Sequence, residues 1–157
     1  IKLWITLKYA YLLNNPSRWG RTTLWRLPLS KQHSHWRRVH LTTTGIRNLK
    51  QVSFNGNTMF MVDALSGLLW IMDDTGVPSQ IQLPDGIAAG QVSITGTVMV
   101  MSDRNGVLYV GGVRAPYTKV QWRRVEGARN LRSLQALPDG SIVGVDPLGR
   151  LVVGRRT

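Results

Sequence analysis

The side chains of this chain that could bind a metal include three histidines within eight positions, His33, His35 and His40. Neutral imidazole is a common zinc ligand, usually together with cysteine or carboxylate ligands. In an extended strand His33 and His35 share one face, whereas His40 lies on the other. The chain has no cysteine, and no acidic residue lies near these histidines. The sequence therefore predicts no metal site, and no motif in it indicates another cofactor.

The acidic residues are the other candidates for chemistry, because carboxylates can act as general acids and bases. Asp63, Asp103 and Asp146 each follow an apolar run and precede a glycine by three or four positions. An aspartate that begins a turn accepts hydrogen bonds from backbone N–H groups two residues further on. No glycine-rich phosphate loop or nucleophile elbow is present. The sequence therefore predicts structural aspartates in a protein that is not an enzyme.

These aspartates belong to a repeat that organises the chain. Segments 51–70, 91–109 and 133–152 share a turn glycine (Gly56, Gly96, Gly140), the aspartate, and a second glycine (Gly67, Gly106, Gly149). The spacing ranges from 39 residues, between Gly67 and Gly106, to 44, between Gly96 and Gly140. A fixed period in this range is typical of stacked or radial repeat folds. Residues 1–25 form a degenerate fourth copy, with Asn14 in place of the aspartate.

Each copy is expected to contain three successive strands and a short outer strand. Asn55-Gly56 and Asp139-Gly140 are favoured two-residue hairpin turns, in which both residues take a positive φ. Segments 59–62, 98–101 and 142–145 are almost continuously apolar, which is typical of strands covered on both faces. The outer strand is predicted around Trp36-Arg37-Arg38-Val39 and its echo Trp122-Arg123-Arg124-Val125, where arginines protect the edge.

Four strands in a repeat of about 40–45 residues is the arrangement of a propeller blade. We therefore predict an all-β protein, a β-propeller or partial propeller of about four antiparallel repeats. A single domain is expected over 1–157, with repeats at approximately 1–25, 36–70, 80–109 and 122–152. Four three-strand units are present against three outer strands. This count predicts part of a larger ring, or a half-ring completed by another chain or by a second copy.

The repeat pattern resembles that of tectonin-type propellers. The resemblance rests on Trp36, Val39, Leu49, Val52, Gly56, Val62, Asp63, Gly67 and Trp70, and on Trp122, Val125, Leu131, Leu134, Gly140, Val145, Asp146 and Gly149. The middle copy has Gln80 roughly where the others have tryptophan. Tectonin-like propellers are typically binding proteins rather than enzymes, including sugar-binding lectins and scaffolds for phosphoinositides or proteins. No sugar-site signature matches position by position, so the resemblance assigns no binding residue.

The charge of the chain is strongly positive and unevenly distributed. The net charge is +12, and residues 1–50 carry ten Lys or Arg residues and no acid. Arginine suits bidentate contact with phosphate or carboxylate, and tryptophan beside arginine suits a sugar face, a lipid headgroup or a stacked base. The predicted binding residues are Trp19, Arg21, Trp25, Arg26, Arg37, Arg38, Arg123 and Arg124.

These observations predict a non-enzymatic binding or scaffolding module whose basic sector contacts an anionic partner: an acidic protein, a phospholipid headgroup or RNA. The alternatives are a glycan-binding lectin of the tectonin type and a structural subunit of a large RNA–protein assembly. No apolar run approaches the length of a membrane span. The absence of cysteine, of a signal-peptide core and of a usable glycosylation triplet favours an intracellular location.

Overall fold

The computed structural model describes residues 1–14, 22–30, 34–41, 46–114 and 119–155, with only the backbone described at Lys50. These residues form fifteen β-strands in four antiparallel sheets, and no helix occurs among them. In these ranges there is consequently no helix that could span a membrane. The prediction of an all-β fold of about four antiparallel repeats is confirmed.

Each sheet is one blade, and its strands are paired in chain order. The first blade contains β1 (Lys2–Ile5), β2 (Tyr9–Asn14), β3 (Thr23–Pro28) and β4 (Arg37–Val39). The second contains β5 (Leu49–Asn55), β6 (Thr58–Asp63), β7 (Leu69–Met72) and β8 (Ser79–Ile81). The third contains β9 (Ala89–Thr95), β10 (Val98–Asp103), β11 (Val107–Gly112) and β12 (Gln121–Arg129). The fourth contains β13 (Arg132–Ala136), β14 (Ile142–Val145) and β15 (Leu151–Gly154).

The two tryptophan–arginine segments form the outermost strands of their blades, as predicted. Arg38 on β4 pairs with Trp25 on β3, and Arg124 on β12 pairs with Tyr109 on β11. Each outer strand therefore completes the blade that precedes it along the chain. The sequence repeat, which was expected to begin with this strand, is offset from the blade by one strand.

The hydrophobic core lies between the blades. One cluster joins the first and second blades and includes Tyr11, Leu24, Met61 and Trp70. A second cluster joins the second and third blades, and a third joins the third and fourth. Alternate residues of a strand point to opposite faces of its sheet. Met61 on β6 therefore packs toward the first blade, whereas its neighbours Phe60 and Val62 pack toward the third.

This two-sided packing explains the apolar middle strands. Every residue of β6 and β10 is buried except the first of each strand. On β14, only Gly144 is buried, and the other three residues are half-buried. The middle strand of the fourth blade is therefore covered less completely than its counterparts.

The repeated aspartates hold the turns between the second and third strands of their blades, as predicted. The Asp103 carboxylate accepts hydrogen bonds from the N–H groups of Asn105 and Val107, both at 2.9 Å. The Asp146 carboxylate accepts from the N–H of Arg150 at 2.8 Å and of Leu148 at 3.0 Å. The backbone bond from Arg150 is the main cause of the lowered pKa of Asp146.

The hairpin turns differ from the prediction. Asn55 pairs with Thr58, so the turn residues of the second blade are Gly56 and Asn57, and of these only Gly56 has a positive φ, +59°. In the fourth blade the loop runs from 137 to 141, and Gly140 but not Asp139 has a positive φ. The expectation of two positive φ values per turn is wrong, because one glycine in each turn takes the left-handed conformation that reverses the chain.

Asp63 provides a test of the turn interactions. Its carboxylate is buried and accepts hydrogen bonds from the Asn48 N–H at 3.0 Å and the Ser66 hydroxyl at 2.7 Å. Asp63→Ala leaves these donors unsatisfied, so we expect the free energy of unfolding in urea to fall by about 2 kcal/mol or more. The control is Asp85→Ala, at an exposed loop position, with an expected change within about 0.5 kcal/mol. Equal losses in the two variants would contradict the role assigned to Asp63.

Candidate functional site

The outer strands of the first and third blades carry exposed arginines. Arg37 and Arg38 lie on β4, and Arg123 and Arg124 lie on β12. Adjacent residues of a strand point to opposite faces, so each pair presents a guanidinium group on both sides of its blade. Arg129, near the end of β12, is also exposed. We call these five residues the basic rim.

The strand β12 contains a bulge. Leu108 on β11 pairs with Val125, but the next residue, Val107, pairs with Arg129, so residues 126–128 are extra on the outer strand. Gly127 within this bulge has a φ of +86°, which favours glycine. The bulge forms a depression of about 260 Å³, which we call the rim pocket; it is lined by Val107, Arg124, Val125, Glu126, Gly127, Ala128 and Arg129.

The rim pocket contains two guanidinium groups and one carboxylate. Arg124 Nε lies 3.6 Å from Glu126 Oε1, and the Glu126 side chain is 83% exposed, so this ion pair is weakened by solvent. Arg129 Nη2 donates a long hydrogen bond of 3.4 Å to the Asn105 carbonyl. A guanidinium group has five N–H donors, more than these contacts use. Arg124 and Arg129 therefore retain N–H donors of the kind from which carboxylate and phosphate oxygens accept hydrogen bonds, and Val107, Val125 and Ala128 line the same depression.

The structure brings together some of the predicted binding residues and separates others. Trp25 and Arg38 are paired on adjacent strands, and so are Arg26 and Arg37. The arginines of β12 belong to a different sheet, with the second blade between the two in chain order. Trp19 and Arg21 lie outside the described residues. The predicted set thus forms at least two groups.

The side chain of Arg26 contacts residues of its own blade and of the second blade. Its guanidinium carbon lies 4.2 Å from the centre of the Tyr9 ring. Its two terminal nitrogens donate to the carbonyl oxygens of Asp73 and Asp74 in the second blade, both at 3.3 Å. Lys8 reaches the same segment through an ion pair of 2.7 Å with the Asp74 carboxylate. Arg26 therefore links the first blade to the second.

Neither of the described histidines belongs to a cluster of metal-ligating side chains. His33 lies outside the described residues, and His35 and His40 are exposed. Within the described ranges, no group of three or more histidine, aspartate or glutamate side chains is placed to hold a metal ion. The repeated aspartates are engaged in their turns.

Arg129 and the rim pocket are not among the binding residues predicted from the sequence. The available signal was Gly127 within a strand pattern, because a glycine in a strand interior often marks a bulge. The pairing of Arg129 with Val107, which fixes the pocket, depends on a register between two strands that the sequence pattern does not specify.

The comparisons with known proteins show the fold. No family model matches the chain, and no curated protein matches it. Its solved structural neighbours are β-propellers. They include human WBSCR16, with a TM-score of 0.68 at 12% identity over 98% of this chain, and the computationally designed Ika4 protein, with a TM-score of 0.66 at 13% identity over 99%. Prp20p of Saccharomyces cerevisiae, described for its binding to Gsp1p and histones, has a TM-score of 0.57 at 13% identity over 97%.

The chain spans 46% of WBSCR16 and 44% of Prp20p, but 89% of Ika4. Another similar structure is named as a candidate 6-phosphogluconolactonase from Bacteroides uniformis. At these low identities the likeness shows the fold alone. The chain is therefore a set of β-propeller blades, and the tectonin resemblance is not specifically supported.

Arg26 allows a structural role to be separated from a binding role. We expect Arg26→Ala to lower the free energy of unfolding by about 1–2 kcal/mol, because it removes the contact with Tyr9 and two hydrogen bonds to the second blade. The matched control is Arg37→Ala, its exposed partner on β4, with an expected change within about 0.5 kcal/mol. Chemical denaturation measures both. A larger loss for Arg37→Ala than for Arg26→Ala would contradict this assignment.

Proposed function

We propose that this protein is a non-enzymatic binding module whose basic rim contacts an acidic protein partner, with the rim pocket as the main contact. The observation that carries the proposal is the placement of Arg124 and Arg129 around the bulge of β12. Both are exposed and belong to an outer strand, where a partner can approach.

The charge of the third blade's outer strand supports an anionic partner. Arg123, Arg124 and Arg129 stand on β12 against a single acid, Glu126. A surface of one predominant sign attracts the opposite charge and increases the rate of encounter. Arg37 and Arg38 add a second basic group on the outer strand of the first blade.

The composition of the rim pocket favours a protein over a nucleic acid. Val107, Val125 and Ala128 contribute to its wall, so an apolar side chain can pack next to a bound carboxylate. Among the similar propellers, Prp20p is described as binding Gsp1p and histones, and a Ycf48 structure contains a bound D1 peptide. These likenesses support a binding role and do not identify the partner of this chain.

The first experiment measures the affinity of a fluorescent poly-glutamate peptide by anisotropy. We expect binding that weakens as NaCl rises from about 50 mM to about 200 mM, because the ion pairs at the exposed rim are screened. Arg124→Ala/Arg129→Ala should weaken binding about tenfold or more, which corresponds to about 1.4 kcal/mol or more. The matched control is Arg47→Ala/Arg155→Ala, which removes two exposed charges away from the rim and should change the affinity less than about threefold.

Equal weakening by the two double variants would contradict the rim pocket as the contact. Parallel measurements use single-stranded RNA, anionic vesicles and a neutral-sugar resin. Tighter binding of RNA or vesicles than of the peptide, lost in Arg124→Ala/Arg129→Ala, would replace the acidic protein with that ligand. Retention on the resin with release by free sugar would instead support the lectin alternative.

A further inference from the structure

Residues at equivalent positions of successive blades pack against the neighbouring blade. In the second blade Val62 and Leu69 pack toward the third blade, whereas Met61 and Trp70 pack toward the first. Among the described residues, the first blade has one neighbouring blade, the second, and its opposite face carries Leu3, Ile5, Leu12, Trp25 and Leu27. We call this the leading face. Its residues lie on one side of the sheet, because Leu3 pairs with Leu12 and Leu12 pairs with Trp25, and directly paired residues share a face. The opposite end of the set, the trailing face of the fourth blade, carries Val143, Val145, Leu151 and Val153.

One leucine position on the third strand is buried in three blades and exposed in the fourth. Leu24, Leu69, Leu108 and Leu151 occupy the same position on the third strand of the four blades. The first three are 0%, 0% and 1% exposed, because each packs against the next blade. Leu151 is 70% exposed, and Val153 on the same strand is 52% exposed. Among the described residues, no further blade covers this packing position of the fourth blade.

The leading face of the first blade is also exposed at positions whose counterparts in the third blade are buried. Val92 and Ile94 on the innermost strand of the third blade are buried against the second blade. Leu3 and Ile5 on the innermost strand of the first blade are 58% and 70% exposed. Large adjoining apolar surfaces of this kind mark interaction sites.

The outer strand gives a further matched pair. Trp122 packs against the cluster between the second and third blades, and its Nε1 donates to the Gln82 carbonyl of the segment after β8, at 2.8 Å. Trp36, the counterpart of Trp122 in the first blade, is 41% exposed. Trp25 corresponds in the same way to Trp70, which is buried against the first blade. Both tryptophans thus occupy positions that in later blades contact the preceding blade.

We propose that the leading face of this 157-residue chain packs against the trailing face of a second copy, and the reverse, so that the two sets of four blades close a ring. The contact repeats a geometry that occurs three times within the chain, between its successive blades. A two-fold axis relates the two junctions, since each copy gives one leading and one trailing face.

The relation between the two faces supports a second copy as the occupant. The two faces are the two halves of one type of interface, which is the requirement for a head-to-tail contact between identical chains. This inference is independent of the rim pocket, which lies on the third blade, but it shares Arg38 with the basic rim, because Arg38 pairs with Trp25 on the leading face.

The ring makes a distinctive prediction about salt. The first and fourth blades both carry exposed arginines, including Arg38 and Arg132. Apolar packing holds the proposed junction while these like charges repel one another, so salt should strengthen the dimer by screening. Binding of an acidic peptide at the rim should show the opposite dependence.

Light scattering coupled to size-exclusion chromatography, with the unliganded 157-residue chain at micromolar concentration, tests the proposal. We expect a mass of twice the 17.6 kDa of one chain, unchanged or more fully dimeric when NaCl is raised. A monomer under all conditions overturns the proposal. A larger oligomer overturns it as well, because a closed ring of two copies leaves neither face free.

Substitutions on each face test the head-to-tail arrangement. Ile5→Arg on the leading face and Leu151→Arg on the trailing face should each yield monomers, with circular dichroism and the unfolding midpoint close to those of the parent chain, because both side chains are 70% exposed. The control is Val77→Arg, which is 66% exposed in the second blade and should remain dimeric. Mixing the two monomeric variants should restore a weaker dimer, since one junction then joins two unaltered faces. A dimer that survives Leu151→Arg, or a mixture that stays monomeric, overturns the arrangement.

Discussion

Every blade of this protein has two apolar faces, and a single sheet cannot cover either of them. Burial comes from the next sheet, which packs its own alternating side chains against the first. The hydrophobic clusters accordingly lie between blades, and β6 and β10 are buried on both sides. The same packing makes the two end blades different from the middle ones, because each has one neighbour among the described residues.

The repeated residues serve this packing, and the residues available for function are those that do not repeat. Asp63, Asp103 and Asp146 use their carboxylates to hold turns. Leu24, Leu69 and Leu108 on the third strands fill the interfaces between blades. By contrast, the bulge around Gly127 occurs in one outer strand, and it places Arg129 beside Arg124. A binding role is therefore best sought at the rim, where departure from the repeat does not disturb the core.

The arginines of the first blade differ in role: Arg26 stabilises the contact with the second blade, and Arg37 is exposed. Arg26 contacts Tyr9 of its own blade and is directed toward the second blade, where it donates to two backbone carbonyls. Its pairing partner, Arg37, is exposed on the outer strand. Two arginines on neighbouring strands thus differ in environment because one lies within reach of the second blade and the other lies at the edge. Composition alone assigns them the same role.

The sequence by itself determined the elements of the fold. The glycine–aspartate–glycine period identified three of the four blades, the apolar runs identified the middle strands, and the paired arginines marked two of the outer strands. These features follow from local turn chemistry and from side-chain alternation. Only the tertiary structure decided which blade each outer strand completes, how the bulge of β12 is registered and where Arg26 points. It also decided that Leu24 is buried and Leu151 exposed, although the two occupy equivalent positions. The physical reason is that burial depends on the neighbouring sheet, and the local sequence does not specify that neighbour.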